Sequence, residues 1–350
     1  MPYKNFQLCI KKIKISMIRL LITDDSIVYR EVIKRIVEQD DEIKIIGFAK
    51  DGEEAIAKVK ELKPDILLLD YQMPKLNGVE VVKKLMVENP IPILLFSTFT
   101  KEGAEVTNTA LRYGAVDFLL KPQKPDEIEN IKNELIKKIK IASRVKVIKR
   151  FHLIEKWSRP VKKISERYEI VLLGISTGGP SILDYILRNL KSDFSLPLVI
   201  CQHMPEKFTK SLAEQLKKLC SLEVKETEDR ERIREKVVYI AKGGNHTIIT
   251  KDREFKIEDV NVFGIPAPSV NELFKSAAEV YKDKILGIIM TGMGNDGTEG
   301  ARRIKEAGGD IIAQDEETSI VFGMPKSAIE TGVVDEILSV EKIVEKLNNL

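Results

Sequence analysis

Gly174-Ile175-Ser176-Thr177-Gly178-Gly179 is the stretch that decides the fold of the second half of the chain. An apolar run over residues 170–173 precedes it and predicts a buried strand. A helix is predicted after it, with Pro180 in the first turn. Strand, glycine turn with a central serine, and helix form the context of a nucleophile elbow. A phosphate-binding or merely tight turn has the same pattern, so Ser176 needs a base and a carboxylate beside it to be read as a nucleophile.

Length and composition indicate two soluble globular domains. The chain has 350 residues, of which 43% are hydrophobic and 32% charged, and its net charge is +3. That near balance gives no electrostatic basis for binding nucleic acid or a membrane surface. The three cysteines (Cys9, Cys201 and Cys220) follow no metal or disulfide spacing, and no apolar run is long enough to span a membrane. We expect a cytoplasmic protein that is not inserted in the membrane.

Residue patterns divide the chain into four parts: an extension over 1–16, a first domain over 17–139, a linker over 140–168 and a second domain over 169–350. The basic extension ends before a second candidate start at Met17, and is interpreted as a disordered tail or a misassigned start. Basic residues crowd residues 137–163, where Glu155 is the only acidic one. This segment is either a solvated helix face running into a linker or a docking segment for an acidic partner. His152 lies there without catalytic neighbours in the sequence.

The first domain is predicted to hold five strand–helix units. Its apolar strands are expected at residues 18–23, 43–48, 65–69, 91–96 and 115–120. Such alternation predicts a parallel, doubly wound sheet, in which the active crevice lies outside the carboxyl ends of the strands.

Five polar residues stand at those strand ends and are expected to converge: Asp24, Asp25, Asp70, Ser97 and Lys121. Three carboxylates together repel one another and call for a hard divalent cation such as Mg²⁺. Lys121 and Ser97 could then hold the oxygens of a phosphoryl group carried on Asp70. The alternative is that these side chains are helix caps or solvated groups.

Three motifs in this domain resemble the receiver domain of two-component response regulators. They are Asp24-Asp25-Ser26, Leu69-Asp70-x-x-Met73-Pro74-x-x-Asn77-Gly78, and Lys121-Pro122. The resemblance implies that Asp70 accepts phosphate from a histidine kinase, and that Asp25 and Asp70 bind Mg²⁺ with the help of Asp24. It also places Ser97 and Phe118 at the family's switch positions. Phosphorylation would then reshape the face of the fourth and fifth strands.

The second domain is predicted to be another α/β unit with a mainly parallel, Rossmann-like sheet. Strands are expected at residues 170–173, 198–201, 237–241, 285–291 and 310–314, with helices between them. Residues 255–260 are expected to add an antiparallel piece.

Candidate partners for Ser176 lie at the ends of two other predicted strands. His203 follows the strand over 198–201 and is the first candidate for the general base, while His246, in a glycine turn, is the second. Asp296 follows the strand over 285–291 in a glycine-rich turn, and is a candidate for the carboxylate of a triad, for a helix N-cap, or for both roles at once. Backbone amides of Met293 and Thr177 are candidate oxyanion donors.

The order Ser176, His203, Asp296 differs from the serine–acid–histidine order of α/β-hydrolases, which indicates another fold lineage. Cys201 near His203 raises the alternative of a cysteine hydrolase. Because Cys201 lies inside an apolar strand and buried cysteines are usually inert, the serine is favoured.

Four blocks of this domain resemble the bacterial chemotaxis protein-glutamate methylesterases. They are Gly174-x-Ser176-Thr177-Gly178-Gly179, Gln202-His203-Met204-Pro205, residues 291–297, and Ala313-Gln314-Asp315-Glu316 with residues 321–325. Ile175 stands where a smaller residue is usual, and the linker does not match in detail. The resemblance implies a substrate, the γ-methyl esters of glutamates on chemoreceptors, and a phosphodonor, the chemotaxis histidine kinase.

The expected function is therefore a phosphorylation-activated hydrolase with Ser176–His203–Asp296 chemistry. We expect the unphosphorylated first domain to cover the edge of the sheet that carries Ser176. Two alternatives stay open from the sequence: an output domain that only binds partners, and an additional deamidase activity on receptor glutamines.

Overall fold

The computed structural model of the protein describes residues 17–122, 124, 127–147, 167–260 and 267–350. The extension over 1–16, His152 and most of the basic linker lie outside the described residues. Among the described helices, none combines the length and apolar character that a membrane crossing requires.

The N-terminal domain is a five-stranded parallel sheet in the order β2-β1-β3-β4-β5. Strand β3 is buried along its whole length because helices cover both faces of the sheet. The predicted doubly wound domain is confirmed. Its elements are β1 (Ile18–Thr23), α1 (Ile27–Val37), β2 (Ile43–Ala49), α2 (Gly52–Leu62), β3 (Ile66–Asp70), α3 (Gly78–Glu88), β4 (Ile93–Ser97), α4 (Lys101–Arg112), β5 (Asp117–Leu120) and α5 (Glu127–Ala142).

The C-terminal domain is built on a seven-stranded sheet in the order β14-β13-β12-β6-β7-β9-β8. Its elements are β6 (Ile170–Ile175), α6 (Gly179–Asn189), β7 (Leu198–Gln202), α7 (Phe208–Lys217), β8 (Glu223–Glu226), β9 (Val237–Ile240), β10 (Asn245–Ile249), β11 (Phe255–Asp259), α8 (Val270–Tyr281), β12 (Ile285–Ile289), α9 (Thr298–Glu306), β13 (Asp310–Gln314), α10 (Met324–Ile329), β14 (Glu336–Leu338) and α11 (Val340–Leu347).

Every strand pair in that sheet is parallel, and the antiparallel piece predicted around residues 255–260 is the separate hairpin of β10 and β11. Strand β6 lies between β12 and β7. The segments that follow these three strands carry Ser176, His203 and Asp296, so the sheet order brings all three to one edge. Strands β8, β10 and β14 were not predicted, since short and partly exposed strands such as these lack a continuous apolar run.

The two domains share one continuous hydrophobic core. Buried side chains of β4, β5 and α4 belong to the same cluster as those of β6, α6 and α7. Helix α5 continues to Ala142 and so crosses the domain boundary predicted at residue 139. Because burial of apolar surface is the main favourable term in association, this contact holds the domains together in the described state.

Candidate active site

The turn after β6 presents Ser176 at the edge of the sheet. The Ser176 amide donates to the Thr291 carbonyl at 2.9 Å, and the Gly179 amide donates to the Ser176 carbonyl at 2.8 Å. Gly178 has φ +78°, and a Cβ there would lie 2.6 Å from the Cβ of Ile320. Glycine is needed at this position for both the left-handed backbone and the close approach.

His203 bridges Ser176 and Asp296. Its Nδ1 lies 3.1 Å from Ser176 Oγ, and its Nε2 lies 2.7 Å from Asp296 Oδ2. A proton on Nε2 is donated to the carboxylate, which leaves the Nδ1 lone pair free to accept the serine hydroxyl proton. These contacts match those of the nucleophile, the base and the orienting carboxylate in a serine hydrolase.

Asp296 is held by the start of helix α8. Its Oδ2 accepts from the Val270 amide at 2.7 Å, while its Oδ1 accepts from the Asn271 amide and from Ser269 Oγ, both at 3.0 Å. Burial by itself would raise the pKa of Asp296, but its bond to His203, the charge of His203 and these amides together lower that pKa. The carboxylate is therefore ionised at neutral pH.

The N-cap alternative for Asp296 is corrected in one respect. Helix α9, which follows Asp296, is capped by Gly297 without a side-chain cap bond, and Asp296 instead satisfies the first amides of α8. In return, Asn271 Oδ1 on α8 accepts from the amides of Gly297 at 3.0 Å and Gly300 at 2.8 Å. Two helix starts thus cap each other, and this fixes the direction of the carboxylate.

The other candidates of the sequence analysis have different positions. His246 lies on β10 opposite Glu258 and is not among the described residues that line the cleft at Ser176. Cys201 is completely buried in β7, and that burial raises the pKa of its thiol well above the usual value. A neutral, inaccessible thiol cannot act as the nucleophile, so the structure favours Ser176.

The backbone amides of Met293 and Thr177 are the candidate oxyanion donors from the sequence. Neither amide donates a hydrogen bond to another residue that the structure describes. Both residues line the cleft together with Ser176 and His203. Each amide is therefore free to donate to an oxyanion.

The first domain contains the predicted carboxylate cluster. Oxygens of Asp24, Asp25 and Asp70 lie within 4.8 Å of one another. Lys121 Nζ is 2.8 Å from a carboxylate oxygen of Asp24 and 2.8 Å from one of Asp70. Burial raises the pKa of Asp70 to about 6, the nearby charge of Asp24 adds to this, and Lys121 opposes it. Three oxygen donors with an unfavourable excess of negative charge fit a hard divalent cation.

The two predicted switch residues, Ser97 and Phe118, contact different parts of the molecule. Ser97 Oγ accepts a hydrogen bond from Thr107 Oγ1 on α4 at 2.7 Å. Phe118 stacks on Phe208 at the start of α7, with 4.8 Å between ring centroids. The switch hydroxyl is therefore tied to α4, and the switch aromatic ring contacts the second domain.

Comparison with known proteins finds a family match for each of the two domains. The profile of the CheB methylesterase family matches residues 171–347, and that of the response regulator receiver domain matches residues 20–133. A protein-glutamate methylesterase/protein-glutamine glutaminase of Thermotoga maritima is 44% identical over 347 residues, covering 95% of this chain and 98% of the relative. This chain belongs to the CheB methylesterase family.

Further members of the CheB methylesterase family extend the match. The protein of the same name from Pyrococcus horikoshii is 38% identical over 344 residues, covering 94% of this chain and 92% of the relative. The crystal structure of the Thermotoga maritima CheB methylesterase catalytic domain has a TM-score of 0.50 and 46% identity, covering 52% of this chain and 97% of that chain. The family assignment therefore extends over both domains.

In this family member the receiver domain lines one side of the cleft at Ser176. The cleft has a volume of about 840 Å³ and is lined on one side by Ser176, His203 and Met293. The receiver lines the other side with residues from β5 and α5, among them Asp117, Glu134 and Lys138. The receiver therefore forms part of the wall around Ser176.

The receiver also bonds directly to the nucleophile turn. Thr177 Oγ1 donates to Asp117 Oδ2 at 2.7 Å, and the Gly178 amide donates to the Val116 carbonyl at 3.1 Å. Lys138 lies 3.3 Å from Asp117 Oδ1 and orients that carboxylate from the receiver side. Sequence reasoning missed Asp117, because a contact across sixty positions and two domains leaves no local signal.

Two more polar contacts fasten helix α4 to the second domain. Arg112 pairs with Asp184 on α6, with Nη2 at 2.5 Å from Oδ1, and both side chains are 18% exposed. Asn108 Nδ2 donates to the Phe208 carbonyl at 2.8 Å in a buried position. Since Asn108 is next to Thr107, the partner of Ser97, the switch and the interface lie on the same helix.

Proposed function

We propose that this chain is a protein-glutamate methylesterase whose receiver domain controls access to a Ser176–His203–Asp296 triad. The observation that carries the proposal is the pair of contacts made by His203, 3.1 Å to Ser176 Oγ and 2.7 Å to Asp296 Oδ2. The names of the full-length relatives support the substrate, a glutamate γ-methyl ester. We assign the chemoreceptors as its protein substrates and the cytoplasm as its location on the same family basis.

In the first step, His203 Nδ1 takes the hydroxyl proton while Ser176 Oγ attacks the ester carbonyl carbon. Asp296 accepts a hydrogen bond from the Nε2–H group of His203 and stabilises the imidazolium that forms. The amides of Met293 and Thr177 are our candidates for binding the developing oxyanion. His203 then protonates the methoxide oxygen, and methanol leaves a glutamyl ester on Ser176.

In the second step, His203 takes a proton from water, and the hydroxide attacks the glutamyl-serine ester. The Ser176 oxygen recovers its proton from His203, and the receptor regains a free glutamate carboxylate. A glutamine side chain could follow the same path with ammonia as the leaving group. The double name of the relatives, methylesterase and glutaminase, favours this as a second activity.

A partner-binding output domain without catalysis is the rival function. A fluorophosphonate probe, which reacts with activated serines, separates the two. We expect labelling of the wild-type chain at Ser176 and none in Ser176→Ala. An unlabelled wild-type protein in its phosphorylated state would contradict the enzymatic proposal.

We propose that Asp70 is the phosphorylated residue, with a chemotaxis histidine kinase as donor. Asp24, Asp25 and Asp70 are proposed to hold Mg²⁺, which when bound neutralises charge on the transferred phosphoryl group. Lys121 would pair with a phosphoryl oxygen, because its ammonium already lies 2.8 Å from Asp70. Ser97 would leave Thr107 to bond another phosphoryl oxygen.

Removal of the phosphate acceptor is expected to abolish stimulation without removing the esterase. In Asp70→Asn, the small phosphodonor acetyl phosphate should no longer raise methanol release, while the basal rate stays within about two-fold of wild type, since Asp70 lies outside the cleft. Chelation of Mg²⁺ with EDTA should have the same effect on the wild type. Stimulation of Asp70→Asn by acetyl phosphate, with Mg²⁺ present, would show that another residue is phosphorylated.

A further inference from the structure

Gln202 is a buried amide between the two residues that are proposed to react. It ends strand β7 directly before His203, and only 2% of its surface is exposed. Its Nε2 donates to the backbone carbonyl of Ser176 at 3.1 Å and to that of His203 at 3.2 Å. One planar group therefore bonds the main chain of both the nucleophile and the base.

The orientation of this amide follows from its surroundings. Both neighbours of Nε2 are carbonyl oxygens, which only the NH₂ end can satisfy. Oε1 then faces Gly179, where an added Cβ would lie 1.9 Å from it. Oε1 accepts no hydrogen bond from any residue that the structure describes. It lies at the start of α6, whose partial positive charge compensates a part of that loss.

An unpartnered buried acceptor costs about 1–3 kcal/mol, so this arrangement is not what stability alone would favour. The space for Oε1 also depends on glycine at position 179, because a Cβ there would occupy it. This constraint on a neighbouring residue is a second sign that the arrangement serves more than stability. The main chains are already joined up to this point, because β6 and β7 pair as far as Ile175 and Gln202 and the His203 amide donates to the Ile175 carbonyl at 3.1 Å. Beyond that strand pair, the Gln202 amide adds one bond across to Ser176 and one to its own neighbour His203, so it bonds the reacting residues themselves.

We propose that Gln202 is a positioning residue for the esterase reaction. It fixes the main chains of Ser176 and His203 relative to each other, and so keeps Oγ and Nδ1 within hydrogen-bond distance as the acyl-enzyme forms and breaks. This inference rests on the proposed function of Ser176 and His203. Displacement of reacting groups by about 1 Å can lower a rate roughly 100-fold, which gives the scale of the expected effect.

Gln202→Met tests the proposal in the full-length, phosphorylated protein, because methionine keeps the length of the side chain and removes its donors. We expect kcat for methanol release from methylated receptor to fall about 10- to 100-fold while KM stays within about two-fold. Labelling of Ser176 by a fluorophosphonate should slow in the same proportion, since it depends on the same serine–histidine contact.

Thr247→Val is the matched control for loss of a buried hydrogen bond. Thr247 is 1% exposed and shares a hydroxyl–hydroxyl contact of 3.2 Å with Thr227, away from the cleft. We expect its kcat and its labelling rate to match wild type. If Thr247→Val loses as much thermal stability as Gln202→Met but keeps its kcat, the loss of kcat in Gln202→Met comes from positioning and not from general destabilisation.

Gln202→Glu supplies a second test through its pH profile. Its carboxylate would face two carbonyl oxygens, whereas the neutral acid regains one O–H donor. The ratio of its kcat to that of wild type should therefore rise as the pH falls. If Gln202→Met fails to fold, this ratio decides the question, and a ratio that does not change with pH overturns the proposal.

Other outcomes distinguish failure of the positioning role of Gln202 from failure of the proposed function. A kcat for Gln202→Met within about two-fold of wild type, or an equal loss in Thr247→Val, would overturn the positioning role. If Ser176→Ala is inactive while Gln202→Met is normal, only this inference fails. If Ser176→Ala keeps its activity, the proposed function itself fails.

Discussion

Ser176→Ala is expected to lower kcat for methanol release by a factor on the order of 10⁶, the scale measured when a triad serine is removed. The Ser176 hydroxyl is the turn hydroxyl that lies 3.1 Å from His203 Nδ1, and without it that nitrogen would have no proton to accept. His203→Gln should lose activity to a similar extent, because the members of a triad act as a unit. Methanol release from methylated receptor membranes measures both.

Ser181→Ala provides the matched control for this substitution. Ser181 lies in the first turn of α6, a few residues beyond Ser176, and its hydroxyl donates to the Gly178 carbonyl at 3.0 Å. We expect it to retain wild-type kcat. Activity of Ser176→Ala above a thousandth of wild type would contradict the assignment of the nucleophile, since that is well above the residual catalysis that triad variants keep.

Arg112→Ala is expected to raise the methanol release of the unphosphorylated protein roughly 10- to 30-fold. The pair of Arg112 and Asp184 joins the receiver to helix α6 with both side chains 18% exposed, and loss of such a partly buried pair costs about 2 kcal/mol of interface energy. That cost shifts the balance between closed and open domains by about 30-fold, as each 1.4 kcal/mol is worth a factor of ten. Because this basal rate is already raised, the additional increase in methanol release on phosphorylation should be smaller by a similar factor.

Arg188→Ala controls for the loss of charge next to Asp184. Arg188 pairs with the same carboxylate, Nε to Oδ2 at 2.5 Å, but belongs to the second domain and leaves the bond to Arg112 intact. Its basal and stimulated rates should equal those of wild type. An Arg112→Ala protein with unchanged basal activity, or an Arg188→Ala protein that is activated equally, would refute control by the interface.

The sequence predicted which side chains meet at the candidate site because of one geometric rule. Carboxyl ends of parallel strands meet at one edge of a sheet, and Ser176, His203 and Asp296 follow strands that prove to be adjacent. The same rule placed Asp24, Asp70 and Lys121 together in the first domain. Residue order along the chain was enough here, since the strand-end positions lie next to long apolar runs.

The groups that hold those side chains could not be predicted in the same way. Asp296 accepts from Val270 and Asn271, which are more than twenty positions away on another helix. Ser269 and Glu272 carry a Ser-x-x-Glu signal for the start of α8, but that signal says nothing about which carboxylate the helix start will bind. Gln202 looked like part of a strand end, and its two carbonyl partners depend on tertiary structure.

The sequence predicted that the two domains meet at Ser176, but not which residues form the contacts between them. The receiver was expected to cover Ser176, and its β5 and α5 residues do line the cleft. The bond from Thr177 to Asp117 and the stack of Phe118 on Phe208 depend on how two separately folded surfaces meet. Such pairs have no spacing pattern within either domain.

Mass spectrometry of a methylated receptor fragment tests the central claim most directly. The fragment is incubated with the phosphorylated protein, and each methylated glutamate is followed together with each unmodified glutamine. The proposed function predicts that the wild-type protein converts the methyl esters to glutamates, and that Ser176→Ala leaves them intact. Methyl esters that persist with the wild-type protein, or that disappear equally with Ser176→Ala, would contradict it.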